Sequence, residues 1–202
     1  MCAKLFNIET DKIYVYPLGG ISKFNMPLNI NVYKEFIILI MGPIFQNIAY
    51  LILNLILDNN LVLRYHIGIL IFNLLPIYPL DGGKLLNLLF TNIIPYKLSY
   101  KITIIISYLM TITILFLNRQ LSINMIITYI FLIFLIKKEE NKSKHIYNKF
   151  LLERYLYNYN YSKNKIIKKE KNFYRTKNNI IKIGNKYYNE NEYLNKKYQK
   201  KY

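Results

Sequence analysis

The stretch Phe72-Asn73-Leu74-Leu75-Pro76-Ile77-Tyr78-Pro79-Leu80-Asp81-Gly82-Gly83-Lys84 decides how this chain folds. It closes a mostly apolar run that begins at Leu61. Pro76 and Pro79 carry no backbone N–H, so a helix entering this stretch must kink or end. Asp81 then places a carboxylate where lipid would disfavour it, and an ionised group at membrane depth usually marks function. Gly82 and Gly83 allow a sharp turn or a close backbone approach. Asn73 adds an amide that can bond exposed backbone or an extended peptide. On residue chemistry alone two readings stand. One is a broken helix with a carboxylate at the break, fit for a cation or a metal. The other is an ordinary helix end, with Pro79-Leu80-Asp81-Gly82-Gly83 as a turn beside a membrane.

Outward from this point the chain alternates apolar runs with polar turns. Phe36 to Leu57 is interrupted only by Gln46, Asn47 and Asn54 and is long enough to cross a bilayer. Asp58-Asn59-Asn60 closes it, and Leu61 to Leu80 follows, with Arg64 and His66 near its start. Residues 81–96 are shorter and mixed. Ile102 to Leu117, extendable back to Tyr96, is a third run, and Asn118-Arg119-Gln120 makes a turn. Leu121 to Ile136 is the fourth, short but adequate with snorkelling ends. Nearer the start, Ile13-Tyr14-Val15-Tyr16 and Ile21-Ser22-Lys23-Phe24 flank Pro17-Leu18-Gly19-Gly20, the pattern of a β-hairpin.

Charge is concentrated at one end. The chain carries a formal net charge of +17, and residues 137–202 hold 19 Lys and Arg against 6 Asp and Glu. Basic segments after apolar spans stay on the cytoplasmic side, because Lys and Arg resist translocation. Four crossings then put both ends of the chain in the cytoplasm and the break at Asp81 toward that side. Nucleic-acid binding is the rival explanation of a basic tail; the membrane explanation is simpler, and no nucleic-acid partner is expected. Phe150 to Asn158 reads as a short amphipathic helix, and Asn185 to Tyr202 as weakly ordered. The single cysteine, Cys2, permits no internal disulfide.

The Asn73 to Gly83 stretch resembles the second signature of the site-2 protease family of intramembrane zinc metalloproteases, Asn-x-x-Pro-x-x-Pro-Leu-Asp-Gly-Gly, at every fixed position. Two further stretches are similar to that family in order and spacing. Tyr16 to Phe24 resembles the strand-turn segment after its first metal-binding helix, and Met41-Gly42-Pro43-Ile44-Phe45-Gln46-Asn47 resembles the start of its third transmembrane helix. The nearest subgroup is that of the stage IV sporulation protein FB-like proteases, and the resemblance covers about residues 1–156. It implies that Asp81 is a zinc ligand and that Asn73, Pro76, Pro79, Gly82 and Gly83 shape a substrate groove. It implies an all-α polytopic membrane protein with four transmembrane helices (a family core of six less its first two), a short N-terminal β-hairpin and a basic C-terminal tail. Residues 1–136 would form the membrane domain and 137–202 the cytoplasmic tail. The activity implied is zinc-dependent cleavage of membrane-associated substrate proteins in a bacterial cell membrane, with a regulatory membrane partner.

The chain departs from that family in one respect. The first signature, His-Glu-x-x-His, supplies two zinc ligands and the general base, and it is absent here. The only histidines are His66 and His145. His66 precedes Asp81 by 15 residues, about 22 Å along a straight helix, too far to share a metal. Both read as ordinary surface or interfacial histidines. Ala3-Lys4-Leu5-Phe6 is similar to the end of the metal-binding helix, so Met1 is expected to be internal to a longer protein. As given, the chain is expected to be inactive, since catalytic zinc uses three protein ligands. The alternatives are a catalytically inactive binding or scaffold protein of the same fold, and a small transporter with Asp81 as its cation site.

Overall fold

The computed structural model describes residues 10–16, 19–24, 26–57, 60–118 and 122–199. Cys2, the Ala3–Phe6 segment, Pro17-Leu18, Asp58-Asn59 and Arg119-Gln120 lie outside the described residues. Strands β1 (Thr10–Tyr16) and β2 (Gly19–Phe24) pair antiparallel, with Ile13 opposite Ser22 and Tyr16 opposite Gly19, as the alternating sequence predicts. Six helices follow in the described residues. They are α1 (Val32–Leu57), α2 (Asn60–Leu74), α3 (Asp81–Ile93), α4 (Tyr96–Leu117), α5 (Ile123–Tyr157) and α6 (Glu190–Gln199). Helix α1 packs on α2 and α3, α3 on α4, and α4 on α5.

The burial pattern of α1, α2 and α4 departs from that of a water-soluble protein. Large apolar side chains face outward, among them Leu55 at 87% and Phe116 at 82% exposure. Polar side chains face inward: Ser99, Thr103, Ser107 and Thr111 form a buried stripe along α4. Each hydroxyl donates to a carbonyl one turn back, so no donor is lost. Small residues on this face let backbones approach closely, which is how helices pack where lipid already satisfies apolar surface. Outward Leu, Ile and Phe in this number would not be stable against water.

By length and composition, Val32–Ile56 and Tyr96–Leu117 can cross a bilayer. The second apolar run, Leu61 to Leu80, is helical only as far as Leu74, the break that the two prolines predict. The 15 residues of α2 span about 22 Å at the helical rise, shorter than a hydrocarbon core. The cause is local: Pro76 and Pro79 cannot supply helical N–H groups. The mixed segment after Asp81 becomes helix α3, with its buried side formed by Gly82, Gly83, Leu88 and Thr91. Helix α5 passes from its apolar half through Lys137 to Tyr157 without a break.

The end of the chain also corrects the sequence reading. Beyond α5 it is a folded unit rather than a simple basic tail. Strand β3 (Asn164–Ile167) pairs parallel with β4 (Asn178–Ile183), and β5 (Lys186–Tyr188) pairs antiparallel with β4. Helix α6 covers part of the segment read as weakly ordered. The unit has its own core of Tyr96, Tyr147, Phe150, Leu151, Ile167, Phe173, Ile181 and Leu194. High charge and tyrosine content hid it, since Ile167, Phe173, Ile181 and Leu194 are apolar anchors spread among lysines.

That unit is fastened to the membrane helices by a buried polar network. Arg154 is fully buried and donates to Glu190 at 2.7 Å and to Asn29 at 2.9 Å. Asn29 in turn donates to the Phe150 carbonyl and the Glu153 carboxylate. Arg175 pairs with Glu35 in the first turn of α1 and donates to the Ile30 carbonyl at 2.8 Å. At α4, the Tyr96 N–H donates to the Phe173 carbonyl at 2.9 Å, and its ring stacks on Phe150.

Candidate intramembrane site

The break between α2 and α3 is built so that backbone donors find acceptors despite the missing helix. The N–H of Leu75 donates to the Phe72 carbonyl, that of Ile77 to Leu75, and that of Leu80 to Ile77. The N–H of Tyr78 has no neighbour of this kind and donates to Ser107 Oγ on α4 at 2.8 Å. Pro76 and Pro79 have none to place. In lipid an unpaired backbone group costs several kcal/mol, so such a loop persists only when it is satisfied by protein. Ile77 is fully buried and anchors the loop among Tyr100, Ile104, Leu132 and Ile136.

Gly82 and Gly83 are where the next helix meets this loop. A Cβ on Gly82 would lie 2.1 Å from the Leu74 carbonyl oxygen, and one on Gly83 would lie 2.6 Å from the Ile77 carbonyl. Both obstacles are backbone. Glycine here is required by close approach rather than by dihedral freedom.

Asp81 is the first residue of α3, where a carboxylate is favoured by the helix dipole. Its Oδ1 accepts from Lys84 Nζ at 3.1 Å, and both side chains are about a third exposed. Its Oδ2 faces Gly42 of α1, where an added Cβ would lie 3.2 Å away. The structure thus brings together Asp81, Gly82 and Gly83 with Gly42 and with the Pro76–Pro79 loop. Asn73 is half-buried at the end of α2.

His66 is placed elsewhere. Its Nε2 lies 3.1 Å from Asn47 Oδ1, its ring stacks on Tyr50 at 4.3 Å, and its carbonyl accepts from Gln46. These contacts join α2 to α1. His145 is exposed on α5. Among the described residues no group of three or more His, Cys, Asp or Glu converges on one point. A zinc centre needs three protein ligands, and the described residues offer Asp81 alone at the break. They do not make up a zinc site by themselves. The sequence reading missed Ser107 and Lys84. Ser107 was legible as one of four hydroxyl residues spaced four apart from Ser99 to Thr111, an inward stripe.

A helical array with large apolar side chains facing outward, and an internal break that carries a carboxylate between glycines, defines a polytopic membrane protein with a polar site within its helices. Residues 60–117 match the model of peptidase family M50. Over 179 residues, 83% of this chain, it is 31% identical to stage IV sporulation protein FB of Bacillus subtilis (strain 168). It spans 60% of that relative's length. The chain belongs to peptidase family M50, a family of membrane-embedded metalloproteases.

Proposed function

We propose that the chain supplies the aspartate ligand and the substrate groove of an intramembrane zinc endopeptidase. The observation that carries this reading is the position of Asp81. Its carboxylate begins a helix at a backbone break, faces Gly42 across α1, and is partly open. In this reading Asp81 is one of three protein ligands to zinc. Asn73, Pro76, Pro79, Gly82 and Gly83 line the groove. The broken backbone leaves room for a substrate segment that has itself unwound, and membrane proteins are the substrate class. In this reading α1 and α4 cross the bilayer, while the shorter α2 and the apolar half of α5 lie within it beside them. Residues 1–136 form the membrane domain, and the basic remainder lies in the cytoplasm, where a regulatory membrane partner would reach it.

Zinc, when bound with a full ligand set, supplies a Lewis acid that lowers the pKa of a bound water. What this chain's own residues contribute is narrower. The two-proline loop holds the Asp81 backbone, Ser107 holds the loop, and Gly42 leaves the carboxylate accessible. Lys84 pairs with the carboxylate and would have to swing away for a cation to bind.

The alternative, a catalytically inactive scaffold of the same fold, is favoured by the Asp81–Lys84 pair, which occupies the carboxylate. Metal content separates the two. The gene product is purified from its native membranes and its zinc measured, beside the Asp81→Asn variant. Stoichiometric zinc that falls to background in the variant supports the protease reading. Zinc at background in both leaves the scaffold as the function.

A further inference from the structure

A crevice of about 280 Å³ lies between α4 and α5, away from the Asp81 break. Most of its lining is apolar or aromatic, with Ile104 buried in the core and Ile105 about half exposed on the outward apolar surface of α4. At its mouth stand Lys97 and Lys101 of α4, both exposed, and Ser143 of α5. Lys97 Nζ sits 5.3 Å over the Tyr147 ring. Neither lysine has a carboxylate partner among the described residues. Glu140, which also lines the crevice, is already paired with Lys137 at 2.8 Å and accepts from Tyr108 at 3.3 Å. The mouth therefore carries an uncompensated positive charge.

Its level on the protein is also defined. Tyr100 on α4 reaches Glu139 on α5, three residues beyond the last apolar residue of that run, Ile136. Lys97 and Lys101 flank Tyr100 in sequence, so they stand where α5 passes from lipid-compatible to charged residues. An anion bound there would have its charge at the polar boundary and its apolar part beside Ile104 and Ile105.

We infer that this crevice binds the headgroup end of an anionic phospholipid, with the phosphate on Lys97 and Lys101. Two unpaired cations at a membrane boundary select against a zwitterionic lipid, and basic pockets between helices on the cytoplasmic side recognise anionic headgroups in this way. The cavity has room for the glycerophosphate end, with the acyl chains lying outside it. The inference rests on the membrane reading of α4 and α5 but not on the protease reading.

The test is native mass spectrometry of the full chain released from bilayers of mixed phosphatidylglycerol and phosphatidylcholine. Recovery of the folded chain from bilayers tests the membrane reading by itself. Retention of phosphatidylglycerol over phosphatidylcholine is expected, with a loss of about fivefold in affinity for each of Lys97→Gln and Lys101→Gln. Lys165→Gln and Lys182→Gln, on the sheet of the C-terminal unit, remove equal charge and should change nothing. A photoactivatable phosphatidylglycerol analogue on the unmodified chain should label the segments around Ile105 and Ile146, which requires no variant to fold. Equal retention of the two lipids, equal loss in both pairs of variants, or labelling confined to other helices overturns the assignment. Displacement by soluble glycerol phosphate as effective as by the lipid would also overturn it, making the crevice a site for a free anion. Protection of the crevice by a co-purified protein, with no lipid retained, would overturn it in favour of a protein partner.

Discussion

The Tyr78 N–H donates to Ser107 Oγ at 2.8 Å, across 29 residues of sequence, and this bond ties the break before Asp81 to the helix behind it. Ser107 also donates to the Thr103 carbonyl, so a single hydroxyl closes its own helix and the loop. Replacing it by alanine leaves a buried backbone N–H without an acceptor. Ser107→Ala is expected to cost about 1–3 kcal/mol, read as a lower midpoint in thermal unfolding in detergent. Ser107→Thr keeps the oxygen and should recover most of the loss. Equal melting of Ser107→Ala and the parent would mean that the bond contributes nothing.

Gly82 and Gly42 differ in what surrounds them, and substitution should separate them. A methyl on Gly82 meets the Leu74 carbonyl, which cannot yield without moving the loop. Gly82→Ala should cost about 1–3 kcal/mol or more through overpacking. A methyl on Gly42 meets only the end of the Asp81 side chain. Gly42→Ala should be neutral or stabilising by up to about 1 kcal/mol, because alanine is the better helix former. Denaturant unfolding of the two variants gives the ranking, and the reverse order would contradict the close approach described above.

Arg154 has no exposed side-chain surface and is paired with Glu190. Removing one partner strands the other at low exposure, which costs about 3–5 kcal/mol. Arg154→Met should therefore unfold the C-terminal unit before the membrane helices. Limited proteolysis should then cut within residues 158–199 while α1–α4 stay intact. Resistance equal to the parent would show that the network does not hold the unit together.

The tyrosines of the same core fix its response to alkali. Burial, then the charge of Glu170, raises the Tyr147 phenol well above its ordinary value, and the same two causes raise Tyr193. The native state keeps these protons where the unfolded chain would release them. Stability is therefore complete below an ordinary tyrosine pKa of about 10 and falls as pH rises above it. Thermal midpoints and tyrosinate absorbance between roughly pH 9 and 12 should show unfolding and ionisation together. In Tyr147→Phe the decline should be shallower. Ionisation of all tyrosines near the ordinary value, with the fold intact, would contradict the burial.

The family, the broken helix and the position of Asp81 at the break were legible because they depend on local chemistry. Proline cannot donate, glycine admits close backbone, and a carboxylate after an apolar run is exceptional wherever the chain goes. The pairing of β1 with β2 was legible for the same reason, from the alternation of the two segments. What the sequence did not disclose depends on partners distant in the chain. Ser107 looked like one hydroxyl among several until the Tyr78 N–H was found on it. Gly42 promised only close packing until Asp81 was seen to face it. The C-terminal unit resembled a solvated basic tail, because its lysines dominate composition while its core is assembled from Tyr96, Phe150, Phe173 and Leu194, drawn from α4 through α6. Periodicity and composition record what each residue prefers of its solvent; which residues meet is set by packing many such preferences at once, and only the folded chain resolves that.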